Sequence, residues 1–204
     1  MNDNFKPHSL TIKELLQGPN NFYSIPRYQR PYKWEDTQVE QLWSDIKDAY
    51  TDNQPYYFLG SVITALPSEG EGTYLDVVDG QQRLTTLLIL CSVFRDCFPA
   101  INGELAHTDQ NVIDADALRD TIQSRGRFPR LRLNPRPDHR SSFEGLIVNG
   151  DTTQIKRPTK KEMANEDDPS YRYRNTAALF QDLVKKLSEE EAGKLLNYLF
   201  TMVR

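Results

Sequence analysis

The fold of this chain is decided by the stretch Tyr74-Leu75-Asp76-Val77-Val78-Asp79-Gly80-Gln81-Gln82-Arg83-Leu84-Thr85-Thr86-Leu87-Leu88. Residues 74–78 are apolar and β-branched enough to form a strand. From residue 81 to residue 98, apolar side chains leave little polar face for solvent, which predicts a central buried helix. Four polar side chains therefore lie at the junction of a strand and a helix that are both predicted to be buried.

The segments before this junction predict a small mixed sheet with packed helices, an α/β fold. Residues 57–64 have the composition of a strand and pair plausibly with residues 74–78 as a hairpin, across a polar turn. Upstream, the sequence predicts a helix at 9–16, a strand at 22–25 and a helix at about 36–50. Asp36 or Thr37 is expected to cap that last helix.

The segments after the junction predict a mainly helical C-terminal part. We expect a helix at 114–123, a strand at 130–133, a helix at 138–148 and two amphipathic helices at 171–187 and 189–204. The intervening polar segment lacks periodicity and is interpreted as a surface loop or partly disordered insertion. The predicted parts are residues 1–148, a domain, residues 149–169, the insertion, and residues 170–204, a helical extension. Its apolar end suggests truncation from a larger protein.

Composition excludes several classes of protein. A net charge of −4 over 204 residues argues against indiscriminate coating of nucleic acid. The N-terminus has no secretory signal and no stretch approaches the ~20 apolar residues of a membrane span, so we expect a cytoplasmic protein without a membrane partner. Cys91 and Cys97 lie about 9 Å apart along one predicted helix, too far for a disulfide.

The polar junction itself has the chemistry of an anion site. Gly80 permits a tight turn, and the first N–H groups of a helix have no intrahelical partners and attract anions. Gln81 and Gln82 can orient oxygens or a water, Arg83 can grip phosphate, and Asp79 can hold Mg²⁺ or position a water. The alternative is that Asp79 caps the helix and Arg83 forms a salt bridge.

A second polar cluster occupies the loop Ile25-Pro26-Arg27-Tyr28-Gln29-Arg30-Pro31-Tyr32-Lys33-Trp34. Its aromatic side chains could stack on a base while Arg27 and Arg30 reach phosphate, and the prolines stiffen the loop before binding. The alternative is a packed loop in which Tyr32 and Trp34 fill space in the core. Both interpretations stay open from the residues alone.

Together the two clusters are recognisable. The Ile25 to Trp34 loop, Phe58-Leu59-Gly60-Ser61 and Asp79 to Thr86 closely resemble the N-terminal domain of GmrSD-type modification-dependent restriction endonucleases, over most of residues 10–148. The resemblance implies a ParB/sulfiredoxin-like fold and a module that binds and hydrolyses a nucleoside triphosphate. It also implies a nucleotide site formed by Gln81, Gln82 and Arg83, with Tyr28, Gln29, Arg30, Gly60, Gly80 and Thr85 around them.

The resemblance also implies partners and a biological role. Such a domain licenses cleavage of modified phage DNA, normally through a C-terminal His-Asn-His nuclease domain or a separate nuclease subunit. The ligands expected are Mg²⁺ and one of GTP, UTP, CTP or ATP, with modified double-stranded DNA as a partner and a homo-oligomer as an open possibility. The rival hypotheses are a non-catalytic ParB-like switch that binds nucleotide or DNA, and an interaction protein whose motifs are structural.

Several expected motifs are absent from the sequence. Its three histidines, His8, His107 and His139, are isolated from one another, so a His-Asn-His nuclease must lie elsewhere. No Walker A string occurs, so any nucleotide must bind at the junction. The junction also has no thiol, which argues against sulfiredoxin-like reductase activity.

The residues between Arg119 and Arg140 are locally basic. Four arginines in this segment are candidates for contact with the DNA backbone: Arg127, Arg130, Arg132 and Arg136. A strand that alternates arginine and leucine with a solvated basic face is an equally ordinary interpretation.

Overall fold

The computed structural model describes residues 7–67, 74–101, 113–124, 128–133, 137–150, 152–165 and 168–204, with the backbone alone for 137–139. The helices are α1 (Ile12–Gln17), α2 (Asp36–Thr51), α3 (Gln81–Cys97), α4 (Ala115–Ile122), α5 (Pro137–Glu144), α6 (Lys160–Met163), α7 (Ser170–Val184) and α8 (Glu189–Met202). The strands are β1 (Tyr23–Ile25), β2 (Ile63–Ala65), β3 (Leu75–Asp79), β4 (Gln123–Ser124), β5 (Phe128–Pro129) and β6 (Leu131–Leu133).

The predicted mixed sheet is confirmed. Four strands lie in the order β2-β3-β1-β6. β1 pairs in parallel with both β3 and β6, and β2 pairs antiparallel with β3 as the predicted hairpin. β4 and β5 form a separate antiparallel pair. All three residues of β1 are buried, because this strand lies in the interior of the sheet.

The predicted central helix is also confirmed, as α3. Thirteen of its seventeen residues are buried, so the helix is surrounded by protein rather than lying at the surface. It packs against α4 and α7. α7 and α8 bury apolar side chains in the same core, and the division of the chain at residues 148 and 170 stays a prediction. Cys91 and Cys97 are free thiols, and burial raises the pKa of Cys91 to about 12.

The segment predicted as one strand at 57–64 is different in the structure. Only its end belongs to β2, because Gly60 has φ 126° and interrupts the extended backbone. Before the glycine, Tyr57 forms a parallel bridge with Val203 near the C-terminus. Residues 57–59 therefore belong with the end of α8 rather than with the sheet.

Smaller differences concern the start of α2 and the polar segment after α5. Glu35, not Asp36 or Thr37, is the N-cap of α2 and forms a capping box with Gln38. The α-helix predicted at 138–148 ends at Glu144, and the chain continues as a π-helical turn, Gly145–Asn149. Thr152, expected in a surface loop, is fully buried and its hydroxyl donates to Asp96 at 2.8 Å.

No helix in the described parts of the chain is long and apolar enough to cross a membrane.

Arg130 has a structural position just before β6. The residue is 1% exposed, and its guanidinium lies over the ring of Phe22. It donates to the carbonyl of Gly18 at 2.7 Å, and to the main-chain and side-chain oxygens of Asp120 at 3.0 and 2.9 Å. One buried arginine thus joins the loop before β1 to α4.

Replacing this arginine tests that role. We expect Arg130→Ala to lower the free energy of unfolding by about 3 kcal/mol, because buried acceptors lose charged donors. The matched control is Arg119→Ala, which removes an exposed ion pair with Asp116 and should cost less than about 1 kcal/mol. Urea denaturation monitored by circular dichroism measures both. Equal losses for the two variants would contradict the assignment.

Candidate functional site

The two polar clusters of the sequence lie together at one edge of the sheet. Because β1 and β3 are parallel neighbours, the loop after Ile25 and the start of α3 after Asp79 emerge at the same edge. A cleft of about 400 Å³ lies between them. Its lining residues are Gln29, Arg30, Trp34, Val78, Asp79, Gly80, Gln81, Gln82 and Arg83.

No side chain caps the N-terminus of α3. Its N-cap is Gly80, at φ 89°, with no side-chain cap hydrogen bond and no acidic residue in the first turn. Asp79 ends β3 instead of capping the helix, so that part of the alternative interpretation is not what the structure shows. A Cβ at Gly80 would lie 2.9 Å from the carbonyl oxygen of Ser61. The cleft is therefore bordered by helix N–H groups that have no intrahelical partners.

Glutamine side chains hold the loop after β1 against this helix end. Gln82 accepts from the backbone N–H of Lys33 at 2.8 Å and donates to the carbonyl of Pro31 at 3.2 Å. Both ends of its carboxamide are engaged, so Gln82 positions the loop. Gln81 donates to Gln29 at 2.9 Å, and its own side-chain oxygen accepts nothing from the described residues. That oxygen is available to a ligand or water.

Gln29 extends this network to the sheet. Its side-chain nitrogen donates to the carbonyl of Val78 at 2.8 Å and to that of Val77 at 3.3 Å. The loop after β1 is thus bonded both to the end of β3 and to the start of α3. The two sides of the cleft are therefore joined by hydrogen bonds within the protein.

Arg83 lies at the other side of the cleft. It donates to the carbonyls of Leu59 and Ser61 at 3.3 and 3.1 Å, and lies 3.7 Å from the carboxylate of Asp79. The alternative of an ion pair is thus present in the structure, with two carbonyl contacts added. Since an arginine has five N–H donors, these contacts leave donors for a phosphate.

Gly60 makes this arrangement possible. A Cβ at this residue would lie 1.7 Å from Nη1 of Arg83. The backbone approaches the guanidinium so closely that only hydrogen fits between them. The role of Gly60 in the structure is therefore to shape the position of Arg83.

The remaining candidates of the nucleotide site lie at different depths. Arg30 lines the cleft and is exposed, and it has no ion pair among the described residues. Tyr28 is 68% exposed and does not line the cleft. Thr85 is buried beside a cavity of about 10 Å³ that shares Arg30 and both helix glutamines with the cleft. That cavity has room for about one water.

Three residues of the site were not proposed for it from the sequence. Val78 lines the cleft beside Trp34, an aromatic residue of the second polar cluster, and the carbonyls of Leu59 and Ser61 hold Arg83. The Phe58 to Ser61 motif contained the signal for the last two, but a main-chain contact leaves no trace in side-chain chemistry. Tyr32, by contrast, is buried, with its hydroxyl bonded to those of Thr86 and Thr176, as the packed-loop interpretation expects.

Asp79 is the residue that could hold a metal ion. The described residues contain no group of three or more histidine, cysteine, aspartate or glutamate side chains able to bind one. A single carboxylate, with its side chain 59% exposed, fits Mg²⁺, which binds through one or two carboxylates together with waters and substrate phosphates.

The structure describes two of the four arginines proposed for DNA contact, and these two differ in their surroundings. Arg130 is buried and bonded to protein carbonyls, so a role in phosphate contact does not fit its position. Arg132 is half-buried and lies over the ring of Tyr74 at 4.0 Å. Arg127 and Arg136 lie outside the described residues. DNA contact through Arg132, Arg127 or Arg136 stays a prediction.

Comparison with known proteins adds one match. The family model for the N-terminal domain of the GmrSD restriction endonuclease matches residues 12–203, almost the whole chain. No protein with a curated description matches it.

The close approach of Gly60 to Arg83 predicts that an added methyl group at residue 60 destabilises the protein, whereas the same change at a control glycine should stabilise it. Gly60→Ala should lower the free energy of unfolding by about 2 kcal/mol, because the backbone is left-handed and the added methyl displaces the guanidinium. Gly193→Ala adds the same methyl within α8, where nothing lies within 4 Å, and should stabilise by up to about 1 kcal/mol. The melting temperatures of both variants, compared with that of the wild type, test this prediction. A stable Gly60→Ala protein would show that the contact is not tight.

Proposed function

The chain belongs to the family of GmrSD restriction endonuclease N-terminal domains, and from this premise we propose that its cleft binds a nucleoside triphosphate and hydrolyses it to control DNA cleavage. Membership implies association with a nuclease part that acts on DNA. The proposed role is that of a sensor in phage defence, which responds when modified DNA is engaged. Nuclease residues are not assigned to this chain.

One observation carries the proposal: the uncapped start of α3 faces a cleft that also receives two arginines. Helix N–H groups and guanidinium groups are the donors that bind phosphate in proteins. The exposed Arg30 has no competing partner among the described residues, while Arg83 is held in place by backbone carbonyls. A volume of about 400 Å³ lies within the range of small-molecule sites.

The residues then take different roles. Arg30 and Arg83 bind the phosphates, and Arg83 stabilises the charge that develops on them during transfer to water. Gln81 orients the attacking water through its unoccupied side-chain oxygen. Gln82 and Gln29 position the loop after β1. Mg²⁺, held through Asp79 together with phosphate oxygens, would neutralise phosphate charge when bound.

A second candidate function is a nucleotide-binding switch without turnover. It is favoured by the state of Asp79, which is the only carboxylate among the residues that line the cleft and which is paired with Arg83. A carboxylate that already contacts an arginine is less free to accept a hydrogen bond from an attacking water. The ParB-like fold that the resemblance implies is compatible with either function.

Binding is tested first with Arg30. Arg30→Ala should weaken nucleotide binding at least tenfold, because a charged hydrogen bond to phosphate contributes about 1.5–3 kcal/mol. The matched control is Arg27→Ala, an exposed arginine in the same loop that does not line the cleft. Thermal-shift titrations with GTP, UTP, CTP and ATP in Mg²⁺ measure both. Equal affinities for the two variants would remove Arg30 from the site.

Hydrolysis is tested separately with Arg83. Arg83→Ala should lower phosphate release at least about 100-fold, as loss of one transition-state donor does in other enzymes. Phosphate release is measured with each nucleoside triphosphate and Mg²⁺, with and without modified DNA, using Arg27→Ala as control. Nucleotide binding by the wild-type protein without release under any condition would instead support the switch.

A further inference from the structure

The small cavity beside Thr85 adjoins the cleft and is also lined by Tyr173 of α7. We call it the Tyr173 cavity. Its volume of about 10 Å³ has room for about one water molecule. Arg30, Gln81 and Gln82 line both the cavity and the cleft. The cavity therefore lies beside the place where the proposed function puts the phosphates of a nucleotide.

Three buried polar groups at this cavity have no hydrogen-bond partner among the described residues. They are the side-chain oxygen of Gln81 and the hydroxyls of Thr85 and Tyr173. All three residues are less than a tenth exposed. Neither hydroxyl is among the completely enclosed polar atoms that lack a partner, so each keeps some accessible surface, and both residues line the cavity. Buried polar groups require partners, and a bound water is the usual one where the protein supplies none.

The neighbouring hydroxyls at the contact of α3 with α7 are paired within the protein. Thr86 donates to the carbonyl of Gln82 at 2.8 Å. The hydroxyl of Tyr32 lies 2.7 Å from that of Thr86 and 3.1 Å from that of Thr176. Missing partners are therefore not a general feature of this contact, and the described groups that lack them here lie at the cavity.

The three groups are held in fixed positions. Gln81 and Thr85 are one turn apart on α3, so their side chains lie on the same face of the helix. The amide of Gln81 is fixed by its bond to Gln29 at 2.9 Å. The ring of Tyr173 packs against those of Tyr32 and Phe143, with centroids 5.4 and 5.2 Å away. A water bonded to these groups would be oriented relative to the cleft.

The chemistry of the cavity fits a neutral occupant. Among the described residues that line it there is no carboxylate, and Arg30 borders it. Mg²⁺ in proteins is bound through carboxylates, so this cavity fits a water better than a metal ion. Burial raises the pKa of Tyr173, as do the neighbouring Tyr32 and Asp168. The hydroxyl of Tyr173 therefore stays neutral and can both donate and accept.

We propose that the Tyr173 cavity holds the water that attacks the terminal phosphate of the nucleotide, with Tyr173 and Thr85 as positioning residues beside Gln81. The inference deepens the proposed function and rests on it in one respect, that the cleft hydrolyses a nucleoside triphosphate. It places one group of the site on α7, in the part of the chain that the sequence predicts to be a helical extension.

The reaction balances without a further reactant. The oxygen of the water forms a bond to the terminal phosphorus, the bond from that phosphorus to the bridging oxygen breaks, and the nucleoside diphosphate leaves with the electron pair. Neutral hydroxyl and amide groups are poor bases, so one proton of the water moves to an oxygen of the terminal phosphate. The products are the nucleoside diphosphate and dihydrogen phosphate. Tyr173, Thr85 and Gln81 orient the water without accepting its proton.

A crystal structure tests the water site directly. The chain is crystallised alone and with Mg²⁺ and a nucleoside triphosphate analogue that carries an imido group in place of the terminal bridging oxygen. We expect a water within about 3.2 Å of the side-chain oxygen of Gln81 and of the hydroxyls of Thr85 and Tyr173 in both crystals. Crystals without a water at these groups would overturn the inference, whether or not the protein hydrolyses nucleotides.

Steady-state kinetics test the role of the water. Tyr173→Phe and Thr85→Val each remove one hydroxyl and should lower kcat at least about tenfold with KM within about twofold, because the lost bond is to the water and not to the nucleotide. The matched control is Tyr198→Phe, which removes an enclosed hydroxyl that has no partner among the described residues. Tyr198 lines neither the cleft nor the cavity, so this variant should keep kcat within about twofold. Thermal unfolding checks that each variant is folded.

The outcomes separate this inference from the proposed function. A folded Tyr173→Phe protein with the kcat of the wild type would overturn the inference and leave the proposed function intact. So would a raised KM with unchanged kcat, because the hydroxyl would then contact the nucleotide. If the wild-type chain hydrolyses no nucleoside triphosphate, the proposed function fails and attack by this water fails with it. A water bonded to the three groups in the crystals would then still establish the site.

Discussion

The constraint on which this structure depends is the left-handed backbone of Gly80. A buried strand ends at Asp79 and a buried helix begins at Gln81, with one residue to turn the chain between them. Any side chain there would meet the carbonyl of Ser61. The turn places the open end of α3 at the edge of the sheet where β1 also ends, so a single glycine conformation aligns the helix donors with the loop after β1.

Around this turn, some polar side chains are bonded to other parts of the protein and others are not. Gln82, Gln29 and Tyr32 are occupied by protein partners, and their polarity serves to hold the loop in place. Arg30 and the side-chain oxygen of Gln81 have no such partners among the described residues. The distinction separates residues that build the cleft from residues that can act in it. Burial raises the pKa of Tyr32 to about 12, which keeps its hydroxyl neutral and able to donate within the core.

Features with a local cause could be predicted from the sequence. The apolar run of α3, the β2–β3 hairpin and the convergence of the two motifs follow from periodicity and from the resemblance to a known family. Features set by distant main-chain contacts could not. The carbonyls that hold Arg83 belong to residues more than twenty positions away. Arg130 alternates with leucines as a solvated arginine would, yet it precedes β6 and its side chain packs over Phe22. Thr152 lies in a polar segment and is buried because Asp96 and Gln181 bond to it.

The pairing of residues 57–59 with residues 202–204 has a consequence for the order in which the protein is made. On the ribosome, the segment that carries Leu59 is made early, whereas its backbone partners Met202 and Arg204 come more than 140 residues later in the chain. Contacts so distant in sequence form late in folding. The segment whose carbonyls hold Arg83 therefore gains these backbone partners only after residues 202–204 have been synthesised, and a chain cut before residue 202 lacks them.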